Sequence, residues 1–208
     1  MRKLGALLLL ICSAQLSAQN DPFYSHYMYN PAYYNPGWLG DANGAFAVFQ
    51  HRSQWAGYNT SLDGAGGAPT SQLMTIVVPV DGVIQSAGIN MSFDKAGAES
   101  ILKIQAGVSY NFTFNSGVLS LGVMPGVVTR TLRFDLLRFN DPSDQFNLGT
   151  RESQSKFDLA AGAFFRSYSG FFGGAAIDHI LKPSLIQIEG VDTELRGRLK
   201  QTFYFHGG

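Results

Sequence analysis

One segment, residues 102–114, alternates apolar and polar side chains without interruption. Its even positions are Leu102, Ile104, Ala106, Val108, Tyr110, Phe112 and Phe114, and its odd positions are Lys103, Gln105, Gly107, Ser109, Asn111 and Thr113. Successive side chains of a β-strand point to opposite faces, so this pattern predicts one apolar and one polar face. The run of 13 residues exceeds the ~5–6 residues of an average strand and satisfies the ~9–11 residues that a tilted strand needs to cross a bilayer. The segment therefore favours a strand that crosses a membrane.

The composition agrees with a membrane β-barrel but does not require one. Charged residues make up 14% of the chain and aromatic residues 13%, and there are 24 glycines, whereas a typical soluble domain has about 25% charged residues. After the N-terminal region no apolar run is long enough to predict a membrane helix. A secreted β-sandwich would have a similar composition and stays open as the alternative fold. The balanced charge excludes the basic footprint of a nucleic-acid-binding protein.

Residues 1–18 are predicted to be a secretory signal peptide. Two basic residues precede an apolar core over residues 4–12, and small residues end the segment at Ala18. The single cysteine, Cys12, lies inside this core, and a lipoprotein interpretation is disfavoured because Ile11 is too large a residue to precede a lipidated cysteine. The mature chain would therefore contain no disulfide and would depend on hydrogen bonding and packing.

Two further regions follow the signal. Residues 19–43 form an aromatic, proline-rich N-terminal segment that cannot be a central strand or a long helix. Residues 44–208 contain the strands, which are predicted at 44–55, 70–79, 83–93, 101–114, 118–130, 157–168, 170–178 and 199–207. The predicted fold is all-β, a transmembrane antiparallel up-and-down β-barrel. Because alternation continues to the end of the sequence, we expect these strands to be the N-terminal part of a longer barrel.

The predicted connections alternate between short and long. The long ones are 56–69, 94–100, 131–156 and 179–198. Membrane barrels have short turns on the periplasmic side and long loops outside. The first strand would then run outward, and the N-terminal segment would lie on the periplasmic side. The loops at 131–156 and 179–198 would face outward or fold into the lumen.

No catalytic, cofactor-binding or metal-binding residue is predicted. The four histidines, His26, His51, His179 and His206, have no metal-ligand spacing. Asp178-His179 is interpreted as a strand end entering a loop, because no serine lies in a G-x-S-x-G nucleophile elbow. An outer-membrane enzyme such as a lipase would need a nucleophile and a base at one rim, and the sequence indicates neither.

Seven residues are predicted to bind partner proteins. They are Phe23, Tyr27, Tyr29, Trp38, Arg52, Gln54 and Trp55. The four in the N-terminal segment belong to an aromatic surface too large for a bare tail, so this segment should either plug the lumen or bind a partner. Trp55 has a second interpretation as an anchor at the lipid headgroups.

Four motifs in residues 19–72 resemble the PorP/SprF family. They agree in order and spacing: Asp-Pro-Phe-x-Ser-x-Tyr-Met-Tyr-Asn-Pro at 21–31, Asn-Pro-Gly at 35–37 with Gly40, Arg-x-Gln-Trp at 52–55, and Ala-Pro-Thr-Ser-Gln at 68–72 after Gly64. Tyr33-Tyr34 and Asp41 depart from the usual residues of the family. The later strands are compatible with the family but less distinctive.

The resemblance implies an outer-membrane β-barrel of the type IX secretion system in a Gram-negative bacterium, without catalytic activity or cofactor. It implies outer-membrane lipid as surroundings, and as partners a periplasmic ring, peptidoglycan-linked proteins and a secreted surface adhesin. The expected role is secretion or surface attachment of adhesins, of the kind used in gliding motility. Family members are longer than this sequence and have more than eight strands. The alternative function is a passive outer-membrane porin or transporter, which an open lumen would favour.

Overall fold

A computed structural model gives the fold of this protein. It describes residues 21–22, 24–57, 68–80, 82, 84–136, 140, 150–185 and 198–208. In these residues no helix has the length and apolar character needed to cross a membrane.

Short helical turns come first and strands follow. The turns are a 3-10 helix (Tyr27–Tyr29), a one-turn α-helix (Pro31–Tyr34) and a second 3-10 helix (Pro36–Asp41). The strands are β1 (Phe46–Ser53), β2 (Thr70–Pro79), β3 (Ser86–Ala96), β4 (Glu99–Phe114), β5 (Gly117–Arg133), β6 (Arg151–Ser167), β7 (Phe172–Asp178) and β8 (Thr202–Gly207), with a 3-10 helix (Phe134–Leu136) after β5.

The eight strands form one antiparallel sheet in chain order, curled into a half-barrel. Each strand pairs with its sequence neighbours, from Phe46↔Val77 in the first pair to Asp178↔Thr202 in the last. The prediction of an all-β, up-and-down antiparallel architecture is confirmed.

The prediction of a long connection at 94–100 was wrong. β3 and β4 meet in a two-residue turn, with Lys95 opposite Ser100 and Ala96 opposite Glu99. Gly97 has a φ of +61°, a left-handed conformation that favours glycine in a tight turn. The charged residues that indicated a loop belong to paired strands, where Glu99 Oε1 lies 2.6 Å from Arg130 Nε. Strict alternation of short and long connections therefore fails at this position.

The connection predicted at 131–156 is shorter than expected, because both flanking strands extend into it. Arg133 pairs with Arg151 at the end of the β5–β6 ladder. Thr131 Oγ1 and Ser153 Oγ, on opposite strands of this ladder, form a hydrogen bond at 3.0 Å. Polar residues here form a paired ladder and were mistaken for a loop. Most of the remaining connection, and most of the predicted loop at 56–69, lies outside the described residues.

The two faces of the sheet are inverted relative to a soluble protein. On β4 the apolar positions are exposed, with Ile104 43% and Phe114 51% accessible, whereas Lys103, Gln105 and Ser109 on the other face are buried. On β4, polar residues therefore face the concave side and apolar residues face the convex side.

The convex side carries an apolar band of membrane dimensions. On β6 the outward residues from Phe157 to Phe165 are apolar and span nine residues, while the outward residues Ser155 and Ser153 beyond Phe157 are polar. A spanning strand needs about 9–11 residues, and barrels place aromatic residues at both interfaces. The band therefore has the height and the aromatic edges expected of a lipid-facing surface.

Candidate functional site

The N-terminal segment occupies the concave side of the sheet and runs along it from one end to the other. We call residues 21–42 the plug; Phe23 within it lies outside the described residues. Asp21 accepts hydrogen bonds from the hydroxyls of Thr202 and Tyr204, both at 3.3 Å, at the end of the sheet with the long connections. Asp41 pairs with Arg166 at the opposite end, beside the short turn at 168–171. The expectation that this segment lies at the short-turn side alone is therefore corrected.

Glycines let the plug backbone press directly on the sheet. A Cβ at Gly122 of β5 would lie 2.1 Å from the Pro36 carbonyl oxygen, and one at Gly37 would lie 2.8 Å from the Phe164 nitrogen. Real side chains do not approach other atoms this closely, so both positions require glycine, which has no Cβ. The plug contacts the sheet as closely as a neighbouring strand would.

Buried amides hold the middle of the plug. Asn30 Nδ2 donates to Thr75 Oγ1 at 2.9 Å, and Thr75 Oγ1 donates to Asn90 Oδ1 at 2.7 Å. Asn90 Nδ2 returns to the plug by donating to the Ala32 carbonyl at 3.2 Å. Buried polar groups must be hydrogen-bonded to avoid a large desolvation cost, so this chain of bonds specifies the position of the plug.

Apolar contacts fill the space between these bonds. One cluster consists of Ala32, Leu39, Val77, Met124 and Ala160. A second joins Tyr24 and Tyr33 of the plug to Leu73 of β2. At the end near the long connections, Leu185 and Leu199 pack on Val128. Part of the connection between β7 and β8 thus covers the concave side, in agreement with one of the two expectations for this loop.

Three buried ionic contacts lie where the plug begins. Lys103 Nζ is 2.6 Å from Asp178 Oδ2, and Gln105 Nε2 donates to Asp178 Oδ1 at 3.3 Å. His179 binds a carboxylate through each ring nitrogen: Nε2 lies 2.9 Å from Asp21 Oδ1, and Nδ1 contacts Asp158 Oδ2. β4, β6 and β7 are thereby connected to the plug through charges.

These contacts shift the ionisation of the two groups outside the strands. Burial by itself lowers the pKa of His179, but hydrogen bonds to Asp158 and Asp21 outweigh burial and raise that pKa to about 9. Burial by itself raises the pKa of Asp21, but the Lys103 charge and the His179 hydrogen bond hold it well below its usual range. His179 is therefore a cation and Asp21 an anion at neutral pH.

This cluster has the chemistry of an anchor for the plug. Asp21, Asp178 and His179 offer ligand atoms within 4.8 Å of one another. The Lys103 ammonium and both ring nitrogens of His179 already bind the carboxylates, so a metal ion would have to displace these cations. His179 Nε2 also faces a carboxylate and not a hydroxyl or thiol, so the Asp158–His179 pair activates no nucleophile. The arrangement holds the plug in the concave side.

The sequence-predicted partner-binding residues that the structure describes lie on the plug and at the end of β1. Tyr27 and Tyr29 are 50% and 69% exposed on the plug, and Trp55 is 68% exposed after β1. Trp38 is half-buried, with its ring 5.7 Å from that of Phe46. Arg52 and Gln54 are half-buried at the end of β1, and Gln50 of the same strand donates to the His26 carbonyl, next to Tyr27, at 3.2 Å.

The anchoring residues were not predicted as a site. Asp178-His179 was interpreted as an ordinary strand end, and Asp158 was placed in a strand without a role. The available signal was the position of Lys103 on the inward face of residues 102–114, where a buried cation requires a carboxylate partner. Its partner lies 75 residues away in the sequence.

Comparison with known proteins identifies the family. A family model described as "Type IX secretion system membrane protein PorP/SprF" matches residues 16–208. No curated protein and no solved structure matches the chain. The chain therefore belongs to the PorP/SprF family of type IX secretion system membrane proteins.

Proposed function

We propose that this protein is a non-enzymatic outer-membrane component of the type IX secretion system that binds partner proteins for the secretion or surface attachment of adhesins. The observation that carries the proposal is the plug. Its buried amides and ion pairs fill the concave side, where a passive porin or transporter would need an open water path. A closed interior favours a role in binding over a role in conduction.

Two features support the outer membrane as its location. The convex side carries an apolar band with Phe157 and Phe165 at its two edges, and closed antiparallel barrels are the β-architecture that membranes accept. The predicted signal peptide at residues 1–18 would direct export. Periplasmic ring subunits, peptidoglycan-linked proteins and a surface adhesin of the gliding-motility type are the proposed partners.

Exposed aromatic residues are the proposed contact points. The 3-10 helix Tyr27–Tyr29 has no buried residue, although the chain around it is tightly packed. Large exposed aromatic and methionine side chains are enriched in protein interfaces. Trp55, after β1, is the second proposed contact, together with Phe23, Trp38, Arg52 and Gln54 as predicted from the sequence.

Affinity purification from native membranes tests this proposal. The intact protein should recover ring subunits or a large surface adhesin, and the purified protein should give no steady conductance in planar bilayers. The variant Tyr27→Ala/Tyr29→Ala should lose partner recovery, whereas Tyr168→Ala should not. Tyr168 is a matched control because it is a tyrosine with 65% exposure that lies outside the plug, in the turn between β6 and β7. Steady conductance without recovered partners would refute the proposal in favour of a porin.

A further inference from the structure

The apolar convex side has a depression that extends across strands β2 to β5. Its volume is about 550 Å³, within the range of about 300–1,000 Å³ that is usual for small-molecule sites. Small residues form its floor, and valines and isoleucines surround them; the floor residues are Ala87, Gly88, Ala106 and Gly107. None of its lining residues, all of which lie in described strands, has a polar side chain. The depression therefore suits an apolar ligand.

Pro125 of β5 lines the same depression and interrupts the sheet there. The ladder between β4 and β5 includes no pair for Ala106 and Gly107, although it continues in the same register on both sides of them. A proline within a central strand removes one hydrogen bond of the ladder, because it has no N–H. One backbone acceptor of β4 is therefore left without its usual donor.

That acceptor is the carbonyl of Ala106. The Arg133 N–H donates to the Ala98 carbonyl at 2.9 Å, so the odd-numbered residues of β5 direct their backbone groups toward β4. Alternate residues of an antiparallel strand point to opposite sides, and Pro125 therefore faces β4 as well. In the register of this ladder the residue opposite Pro125 is Ala106. Any residue other than proline at position 125 would donate an N–H to the Ala106 carbonyl.

This carbonyl lies near the middle of the apolar band. On β4 the outward side chains are apolar from Leu102 onward, whereas the outward Ser100 before it is polar, and Tyr110 is the first aromatic residue toward the other edge. Ala106 is midway between Leu102 and Tyr110, about 13 Å along the strand from each. Water does not reach this depth of a bilayer, so a carbonyl without a donor is costly there. A ligand that brings a donor to this depth would remove that cost.

We propose that the depression binds one lipid acyl chain that carries a hydroxyl group near its middle, and that this hydroxyl donates to the Ala106 carbonyl. Lipid chains surround the band, and their methylene groups match the apolar lining. The exposed lining is far smaller than the ~800 Å² per partner of a stable protein interface, which favours a single chain over a second protein.

The floor of the depression also lies directly outside the plug. A Cβ at Gly88 would lie 2.6 Å from Leu39 Cδ2 of the plug, so only the backbone of β3 separates the depression from Leu39. The bound chain supports, from the lipid side, a part of the sheet on which the plug packs.

Native mass spectrometry of the purified protein in detergent tests the proposal with two fatty acids. One is stearic acid hydroxylated in the middle of its chain, and the other is plain stearic acid. The unmodified protein should bind one copy of the hydroxylated acid about fivefold more tightly than the plain acid, because one hydrogen bond is added. Equal affinities, or binding of neither acid, would overturn the proposal.

Three variants separate the depression from the carbonyl. Ala106→Leu fills the floor and should weaken the binding of both acids about tenfold. Ala163→Leu is the matched control, because Ala163 faces the same side of the sheet on β6 and does not line the depression; its binding should be unchanged. Pro125→Ala supplies the missing N–H and should make the two affinities equal, and a retained preference for the hydroxylated acid would contradict the role of the carbonyl.

Two outcomes have a fixed interpretation. If a variant does not fold, the comparison of the two acids on the unmodified protein decides. If the same spectra show a dimer that Ala106→Leu dissociates, a second copy of the chain occupies the depression and the proposal is overturned.

Discussion

The buried ion pair between Lys103 and Asp178 gives the sharpest prediction. Their side chains are only 5% and 6% exposed and lie 2.6 Å apart. In Lys103→Met the carboxylate stays buried, with the Gln105 amide at 3.3 Å and the His179 N–H at 2.9 Å as its remaining donors. Removing one partner of a buried pair costs about 3–5 kcal/mol. The free energy of unfolding should fall by about that amount.

A double variant separates the charge effect from packing. Replacing both charges of a buried pair by well-packed hydrophobic residues of similar volume is often close to neutral in free energy. In Lys103→Met/Asp178→Asn the asparagine keeps an acceptor for the His179 N–H. The cation–π contact of Lys103 with Tyr33, 5.0 Å to the ring centroid, stays lost and is worth about 0.5–2 kcal/mol. The asparagine Nδ2 takes the place of the Oδ2 that faced Lys103 and has no acceptor in the methionine at position 103, which costs about 1–3 kcal/mol. The double variant should therefore lose about 1.5–5 kcal/mol, less than the sum of about 6–10 kcal/mol expected from the two single variants.

Urea titration of the folded protein in detergent micelles, followed by tryptophan fluorescence, measures the four free energies of this cycle. The single variants and the double variant should be strongly non-additive, because both single variants leave one charge unpaired. If the loss in the double variant equals the sum of the losses in Lys103→Met and Asp178→Asn, the two groups do not interact and the reasoning is refuted.

Three further predictions concern the plug and the band. Raising the pH should destabilise the protein, because the stability contributed by protonated His179 is complete below its unfolded pKa of 6.5 and is lost as pH rises through about 9. Thermal unfolding across this range measures the loss, and His179→Gln should flatten it. Gly122→Ala places a methyl group 2.1 Å from a plug carbonyl and should cost about 1–3 kcal/mol and expose the plug to protease. Gly44→Ala, with nothing within 4 Å, should do neither; equal cleavage of both variants would contradict the packing. Val123→Lys in the middle of the band should cost about 2–4 kcal/mol in vesicle-inserted protein, against about 0–1 for Thr129→Lys beyond it; equal costs would place the bilayer elsewhere.

The sequence was sufficient to predict the strand segments that lie within the apolar band. Residues 70–79 were predicted with the bounds that β2 has, and the faces of 102–114 were assigned correctly, because a two-residue period between lipid and a polar interior is a local signal. It was not sufficient where strands leave the band. Residues 151–156 are polar on both faces, and polarity reports contact with water, not the absence of a paired neighbour.

The interior could be predicted only in part. The aromatic, proline-rich composition of the N-terminal segment indicated a plug or a binding surface, and the structure has both buried and exposed residues in it. Its anchors could not be predicted, since Asp21 and His179 are 158 residues apart and no local pattern relates them. Such pairings depend on the curvature of the sheet, which follows from all of the strands together.

The path of the plug has a consequence for the order of assembly. The first described residue, Asp21, bonds to Tyr204, 183 residues further along the chain. Closing a loop of this length lowers the conformational entropy of the chain, and only the complete set of plug contacts offsets that free-energy cost. The plug, which is synthesised before all of the strands, must therefore be among the last segments to reach its final position, after β6, β7 and β8 have come together around the space it fills. During biogenesis the interior has to stay accessible until that moment.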